Sequence, residues 1–179
     1  MDVISNILIV GGTHGNESTG VYIIDSLTNN PQRLAEYPFN VELLLANPEA
    51  VKQNKRYLDK DLNRCFSRAL LAEQNFSQYE SKLAREIVDE IGDKDTCKYD
   101  LIIDLHTSTA NMGVNLVLTK HDDFHFNMMG YLQSKRDDVV VTSEAEMIPD
   151  HHFLCALAKC NVIVEVGPIA QGLLDYNTV

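Results

Sequence analysis

Long hydrophobic runs are missing from this sequence. No stretch of about 18 apolar residues interrupts its 179 positions, so a membrane-spanning helix is excluded. No signal peptide is legible, because Met1-Asp2-Val3-Ile4-Ser5 is acidic and passes at once into a strand pattern. Cysteine is scarce: Cys65, Cys97, Cys155 and Cys160 make no CxxC pair and no disulfide framework. Buried or idle thiols in a reducing, cytoplasmic compartment are expected. Positive charge is short too, 15 Lys and Arg against 26 Asp and Glu, and the net charge of -11 argues against nucleic acid and anionic membranes as partners. Internal repeats and low-complexity tracts are absent. What remains is a chain with 45% apolar residues, enough to bury one core as a single domain.

The apolar pattern alternates strand with helix. Strands are expected over about 5–11, 39–46, 100–106, 114–119, 139–142 and 162–166, separated by helices over 16–27, 77–91, 123–134 and a short one near 152–159. Ser77 reads as the cap of the second helix with Glu80 at capping-box spacing, and Leu83, Ala84, Ile87, Val88 and Ile91 form its core stripe. Such alternation implies a three-layer α/β/α sandwich with a mixed, mostly parallel sheet. The closely spaced strands 100–106 and 114–119 could pair as a hairpin, which would supply the antiparallel part.

The chemistry-bearing residues gather where strands end. Ile7-Leu-Ile-Val10 runs into Gly11-Gly-Thr-His-Gly-Asn-Glu17, placing His14 and Glu17 three residues apart on one face of any following helix. Asp100-Leu-Ile-Ile-Asp-Leu-His106 ends in a second histidine. Two His and one Glu with a fourth position left open is the pattern of a catalytic zinc site. Asn47 and a basic stretch (Lys52, Lys55, Arg56, Lys60, Arg64, Arg68) follow the second strand, and Glu165 interrupts the β-branched run of the last. In open α/β sheets ligands bind outside the carboxyl ends of the strands, and parallel strands would bring these segments to one edge. Each residue has a plainer reading. His14 could be a loop histidine, Glu17 a first-turn carboxylate facing the helix dipole, His106 a strand-end histidine, and the basic stretch a solvated face. Glu165 is harder to dismiss, since a carboxylate in an apolar strand is costly to bury. His121 and His125, four apart in an acidic segment, read as surface residues.

Four motifs in order carry a resemblance: Gly11-Gly-Thr-His-Gly-Asn-Glu17, Asp61-Leu-Asn-Arg64, Asp104-Leu-His106 and Val164-Glu-Val-Gly-Pro168. They resemble the aspartoacylase and succinylglutamate desuccinylase family, itself related to zinc carboxypeptidases. The resemblance spans nearly the whole chain. It implies a zinc carboxypeptidase-like catalytic domain over 1–179, with one zinc per chain held by His14, Glu17 and His106. It makes Glu165 the general base and Arg56 the donor that polarises the scissile carbonyl. Asn63 and Arg64 would hold the substrate's free α-carboxylate, with Asp61 and Asp104 orienting Arg or His side chains.

The implied reaction is hydrolysis of an N-acyl amino acid, N-acetyl-L-aspartate first. The alternatives are deacylation of N-acetylated aromatic or other neutral amino acids, or a catalytic-half fragment that binds zinc and carboxylates without turnover. Expected partners are a small anionic N-acyl amino acid and, at most, further copies of the chain as a homo-oligomer. Two departures stand out. Ten residues before the glutamate of Val-Glu-Val the family has an arginine for the substrate's side-chain carboxylate, where this chain has Cys155; a tyrosine four residues earlier is matched by His151, and His151 or His152 could take over part of that contact. The chain also stops at Asn177-Thr178-Val179, without the family's C-terminal β-rich domain.

Overall fold

A computed structural model describes residues 3–73 and 77–175, so what was read from Met1-Asp2 and from Asn177-Thr178-Val179 lies outside the described residues. Strands β1 (Asn6–Gly11), β2 (Asn40–Leu45), β3 (Leu101–Thr107), β4 (Gly113–Leu118), β5 (Val139–Ser143) and β6 (Cys160–Gly167) form one sheet in the order β2-β1-β3-β6-β4-β5. The neighbours β2, β1, β3 and β6 run parallel, β4 is antiparallel to β6, and β5 is parallel to β4. The sheet is therefore mixed and mostly parallel, as expected.

The expected hairpin does not form. β6 lies between β3 and β4, pairing His106 with Glu165 on one side and Asn115 with Glu165 on the other. The physical reason is the apolar run of β6, which is buried on both faces only at the centre of a sheet. The connection after β3 is bound to this strand instead of closing a turn: Ser108 N–H donates to the Val166 carbonyl and Ile169 N–H to that of Ser108.

Alternation along the strands sends their side chains to two cores. On one face Leu8, Val10, Ile102, Val117 and Ile163 pack with Phe66, Leu154 and the stripe Ala84, Ile87, Val88 and Ile91 of helix α4 (Tyr79–Ile91). This layer also holds the irregular segment 46–72, with helices α2 (Pro48–Lys52) and α3 (Arg68–Leu71) and a 3-10 turn at Leu62–Arg64. On the other face Leu116, Leu118 and Val162 pack with Met128, Met129 and Leu132 of helix α5 (Asp123–Lys135). Helix α1 (Ser18–Asn29) shares that face, its Gly20 so close to Gly11 that a Cβ on Gly11 would lie 2.4 Å from the Gly20 carbonyl oxygen. Among the described residues no helix is long and apolar enough to cross a membrane. The segment near 152–159 holds only a 3-10 turn, Cys155–Leu157.

Two local expectations are corrected. The start of α4 is not a Ser77–Glu80 capping box: Gln78 is the cap residue and makes no side-chain cap bond. Asp59, from the opposite loop, accepts the Tyr79 N–H at 2.8 Å, while Glu80 gives its carboxylate to the backbone of residues 58–60. His125 is not a surface residue but 0% exposed. Asp122 caps α5 by accepting the His125 N–H at 3.1 Å, which turns the ring inward, and Nε2 donates to the Asn161 carbonyl at 3.0 Å. His121 is exposed, as expected.

Candidate active site

The turn after β1 places the first two residues of the site. Gly12 takes φ +69°, a left-handed conformation suited to glycine, and Gly15 lies against α2, where a Cβ would meet the Ala50 carbonyl carbon at 2.1 Å. The close turn brings His14 Nδ1 to 2.7 Å from Glu17 Oε1. From the end of β3, His106 Nδ1 lies 3.0 Å from Glu17 Oε2 and 3.1 Å from His14 Nδ1. The Thr107 N–H donates to Glu17 Oε2 at 2.9 Å, so the carboxylate is fixed from both strands. All three side chains are buried, with one ligand atom from each lying within 4.8 Å of the others. Two imidazole nitrogens facing each other across a carboxylate form a group able to hold a metal ion.

The far side of each ring is aimed by another carboxylate. His14 Nε2 lies 2.9 Å from Asp61 Oδ1, and His106 Nε2 lies 3.0 Å from Asp104 Oδ2. Thr13 Oγ1 in turn donates to Asp104 Oδ1 at 2.8 Å. Such outer carboxylates fix ring orientation and raise ligand basicity, the usual surroundings of metal-binding histidines. Burial alone would raise the Glu17 pKa, but the contacts with His106 and His14 outweigh it and hold the carboxyl well below its ordinary range. Asp61, also opposed by burial, is pulled down to about 2 by His14, with Arg56 and Arg64 adding to the effect. Ionised carboxylates and inward-facing ring nitrogens suit a divalent ion such as zinc.

The long loop after β2 completes the group. Arg56, 45% exposed in its side chain, donates to Glu17 Oε1 at 3.1 Å and lies 3.6 Å from Asp61 Oδ2. Buried Asn63 reaches within 3.4 Å of His106 Nε2 while its Oδ1 accepts the Leu154 N–H at 2.8 Å. Arg64 is exposed at the rim, its guanidinium 5.2 Å over the Phe153 ring. Glu165, half-buried on β6, stands opposite His106 in the strand register, on the same face. The rest of the basic stretch disperses: Lys52 lies near Glu49, and Arg68 pairs with Asp95.

Over residues 3–179 the sequence matches the profile of the Succinylglutamate desuccinylase/Aspartoacylase catalytic domain. The chain belongs to this family. A protein of Trichodesmium erythraeum (strain IMS101) named probable aspartoacylase is 37% identical over 175 residues, covering 98% of this chain and 60% of its own length. The Xenopus tropicalis N-acyl-aromatic-L-amino acid amidohydrolase (carboxylate-forming) is 40% identical over 176 residues, covering 95% and 56% respectively. The crystal structure of murine aminoacylase 3 superposes with a TM-score of 0.91 at 32% identity, over 99% of this chain and 60% of that one. The chain thus spans about three fifths of the length of these relatives.

Within this succinylglutamate desuccinylase/aspartoacylase domain, two further residues singled out from the sequence lie on the segment 151–155, which the Leu154 N–H ties to Asn63 Oδ1 at 2.8 Å. His151 is buried against Phe153 and lines a cavity of about 1010 Å³, together with Tyr99, Asp100, Lys120 and Cys160. Phe153, on which His151 stacks, also lies beneath the Arg64 guanidinium. Cys155 is 0% exposed in the core, and burial pushes its thiol pKa well up. The sequence does not mark Thr13, which anchors Asp104, or Glu80, whose spacing from Ser77 reads as a helix cap. The one pointer to Thr13 is its place between Gly12 and His14; for Glu80 no local signal exists, because its partners lie about 20 residues upstream.

Proposed function

We propose that this chain is the catalytic domain of a zinc-dependent amidohydrolase that cleaves the amide bond of an N-acyl amino acid, with one zinc held by His14, Glu17 and His106. The observation that carries the reading is the approach of His14 Nδ1 and His106 Nδ1 to 3.1 Å with Glu17 touching both. When bound there, zinc supplies Lewis acidity, which lowers the pKa of water toward 7 and polarises a carbonyl.

The chain's own residues supply the rest. Glu165, opposite His106 across the sheet, takes the proton of the attacking water as its oxygen adds to the acyl carbon, and returns it to the nitrogen as the C–N bond breaks. Arg56 donates to the oxygen that gains negative charge. Asn63 and Arg64 hold the free α-carboxylate, Arg64 through a planar fork that matches two oxygens. The products are a carboxylate and a free amino acid. The four cysteines, which form no disulfide among the described residues, fit a reducing, cytoplasmic setting.

Two readings of the substrate side chain remain. N-acetyl-L-aspartate is supported by the relatives named probable aspartoacylase. The burial of Cys155 favours the other, because an uncharged group packed in the core offers nothing to a side-chain carboxylate. We therefore place a neutral or aromatic N-acyl amino acid first. Zinc content and hydrolysis of N-acetylaspartate against N-acetylphenylalanine test both. Faster turnover of the phenylalanine derivative supports this order, and the reverse restores aspartate. Zinc without turnover of either leaves a binding half that needs the rest of the protein. A parent chain that takes up no zinc would sink the metal reading.

A further inference from the structure

Glu80 is 0% exposed, and it forms no ion pair among the described residues. Burying a carboxylate in that way is costly unless several donors meet it. Four do. Oε1 accepts the Leu58 N–H at 2.6 Å and the Asn47 side-chain amide at 3.3 Å, while Oε2 accepts the N–H groups of Asp59 and Lys60, each at 3.0 Å. Three successive backbone N–H groups converging on one anion form a nest. An ionised carboxylate is the side chain with acceptor sites enough to fill it. Burial pushes its pKa up, but these donors outweigh burial and hold it below the ordinary value.

The segment pinned in this way is the one that carries half of the site. Residues 53–61 have no regular structure, yet Arg56 lies two residues before the nest and Asp61 directly after it. Asp61 Oδ1 faces His14 Nε2 and also accepts the Asn63 N–H at 2.9 Å, so its position sets the turn bearing Asn63 and Arg64. The lock is reciprocal, since Asp59 accepts the first N–H of α4 while Glu80, one residue further on, accepts that of Asp59. Asn47 ties the arrangement to the sheet: its N–H donates to the Gly12 carbonyl and its Oδ1 accepts the Ala50 N–H. A closed path of hydrogen bonds thus runs from the β1 turn through Asn47, Glu80 and residues 58–61 back to His14.

We propose that Glu80 is a positioning residue of the active site: its carboxylate fixes the 58–60 backbone and so sets Asp61 against His14 and Arg56 against Glu17. The catalytic consequence rests on the function proposed above; the geometric one does not. The test compares Glu80→Gln with Ile87→Val, a change in the same helix whose side chain packs in the core and makes no hydrogen bond to the loop. The glutamine keeps the volume but turns an N–H₂ toward the donors of the nest.

Four readouts are taken on the full chain: melting temperature, amide exchange at residues 58–60, the His14 ring resonances, and zinc affinity by chelator competition. For Glu80→Gln, faster exchange at 58–60, shifted His14 resonances and a zinc affinity about ten-fold weaker are expected, none of them seen in the Ile87→Val protein. With an N-acyl amino acid as substrate, kcat/KM should fall further than zinc occupancy explains. If Glu80→Gln matches the control in ring resonances and zinc affinity, Glu80 is structural only and the proposal fails. If the parent binds no zinc and hydrolyses nothing, the proposed function is at fault, while exchange and ring resonances still decide the role of Glu80. Should Glu80→Gln not fold, Glu80→Asp, which keeps the charge but shortens the reach, carries the same comparison.

Discussion

Replacing Asp104 with asparagine tests how the two imidazoles are aimed. Asp104 is fully buried, accepts from Thr13 at 2.8 Å, and sits 3.0 Å from His106 Nε2. Asparagine has nearly the same shape, so the fold should survive and mainly the charge is lost. Without the anion behind it, His106 becomes a weaker donor at Nδ1, the nitrogen that faces Glu17 and His14. Loss of such an outer partner typically costs 10–100-fold in metal affinity, about 1.4–2.7 kcal/mol at roughly 1.36 kcal/mol per decade. Asp61→Asn should act likewise through His14. Because Glu17 touches both rings, any departure of the double variant from additivity measures the coupling between them. Zinc affinity from chelator competition at fixed pH is the assay, with melting of the metal-free proteins as the control for folding. If Asp104→Asn folds normally and binds zinc within about twofold of the parent, the assignment of Nδ1 as the metal-facing atom is wrong.

Three further outcomes are expected. Glu165→Gln should keep its zinc and lose turnover by on the order of 10²–10⁴-fold, and a near-parent rate would remove Glu165 as the base. Gly15→Ala would force a Cβ to 2.1 Å from the Ala50 carbonyl carbon and 2.3 Å from the Val51 nitrogen, costing about 1–3 kcal/mol or more; an unchanged melting temperature would show that the turn can move aside. The Glu80 carboxyl lies below its ordinary value of 4.5 in the folded protein, so its contribution to stability is present above that pH and is lost as pH falls through the depressed value. Below pH 4.5 the parent should therefore lose melting temperature more steeply than Glu80→Gln, and parallel curves would contradict the shift.

What was legible in the sequence was what adjacent residues decide among themselves. The run Ile7–Val10 ending in two glycines forms its strand and turn from local preference alone, and His14 and Glu17 follow from that turn. The stripe on α4 faced the core as its spacing required, because a 3.6-residue period has one way to be buried. The errors arose where partners distant in the chain intervened. The strands 100–106 and 114–119 are near enough for a hairpin, but β6 has two apolar faces and took the place between them. Ser77 and Glu80 have the spacing of a local cap, yet the donors of residues 58–60 held the carboxylate instead. His125 stands in an acidic segment that looks exposed, and only the Asp122 cap together with the Asn161 carbonyl makes it an inward-facing ring. Alignment of Cys155 with an arginine position said nothing of its burial, which depends on the packing of Phe153, Leu154 and Leu157 around it.

The position of β6 also bears on how the domain comes into being. Without residues 160–167 the strand order leaves the ribbons β2-β1-β3 and β4-β5 with no backbone pairing between them among the described residues. During synthesis, N-terminal parts emerge first, so the β3 and β4 edges stay open until β6 arrives. Closure is a late, non-local event of the kind that slows folding and exposes strands to misassociation. Glu165 lies within that closing strand, opposite His106. The step that seals the two ribbons is thus the same step that brings the proposed base to the metal site, and a half-folded chain would hold one without the other.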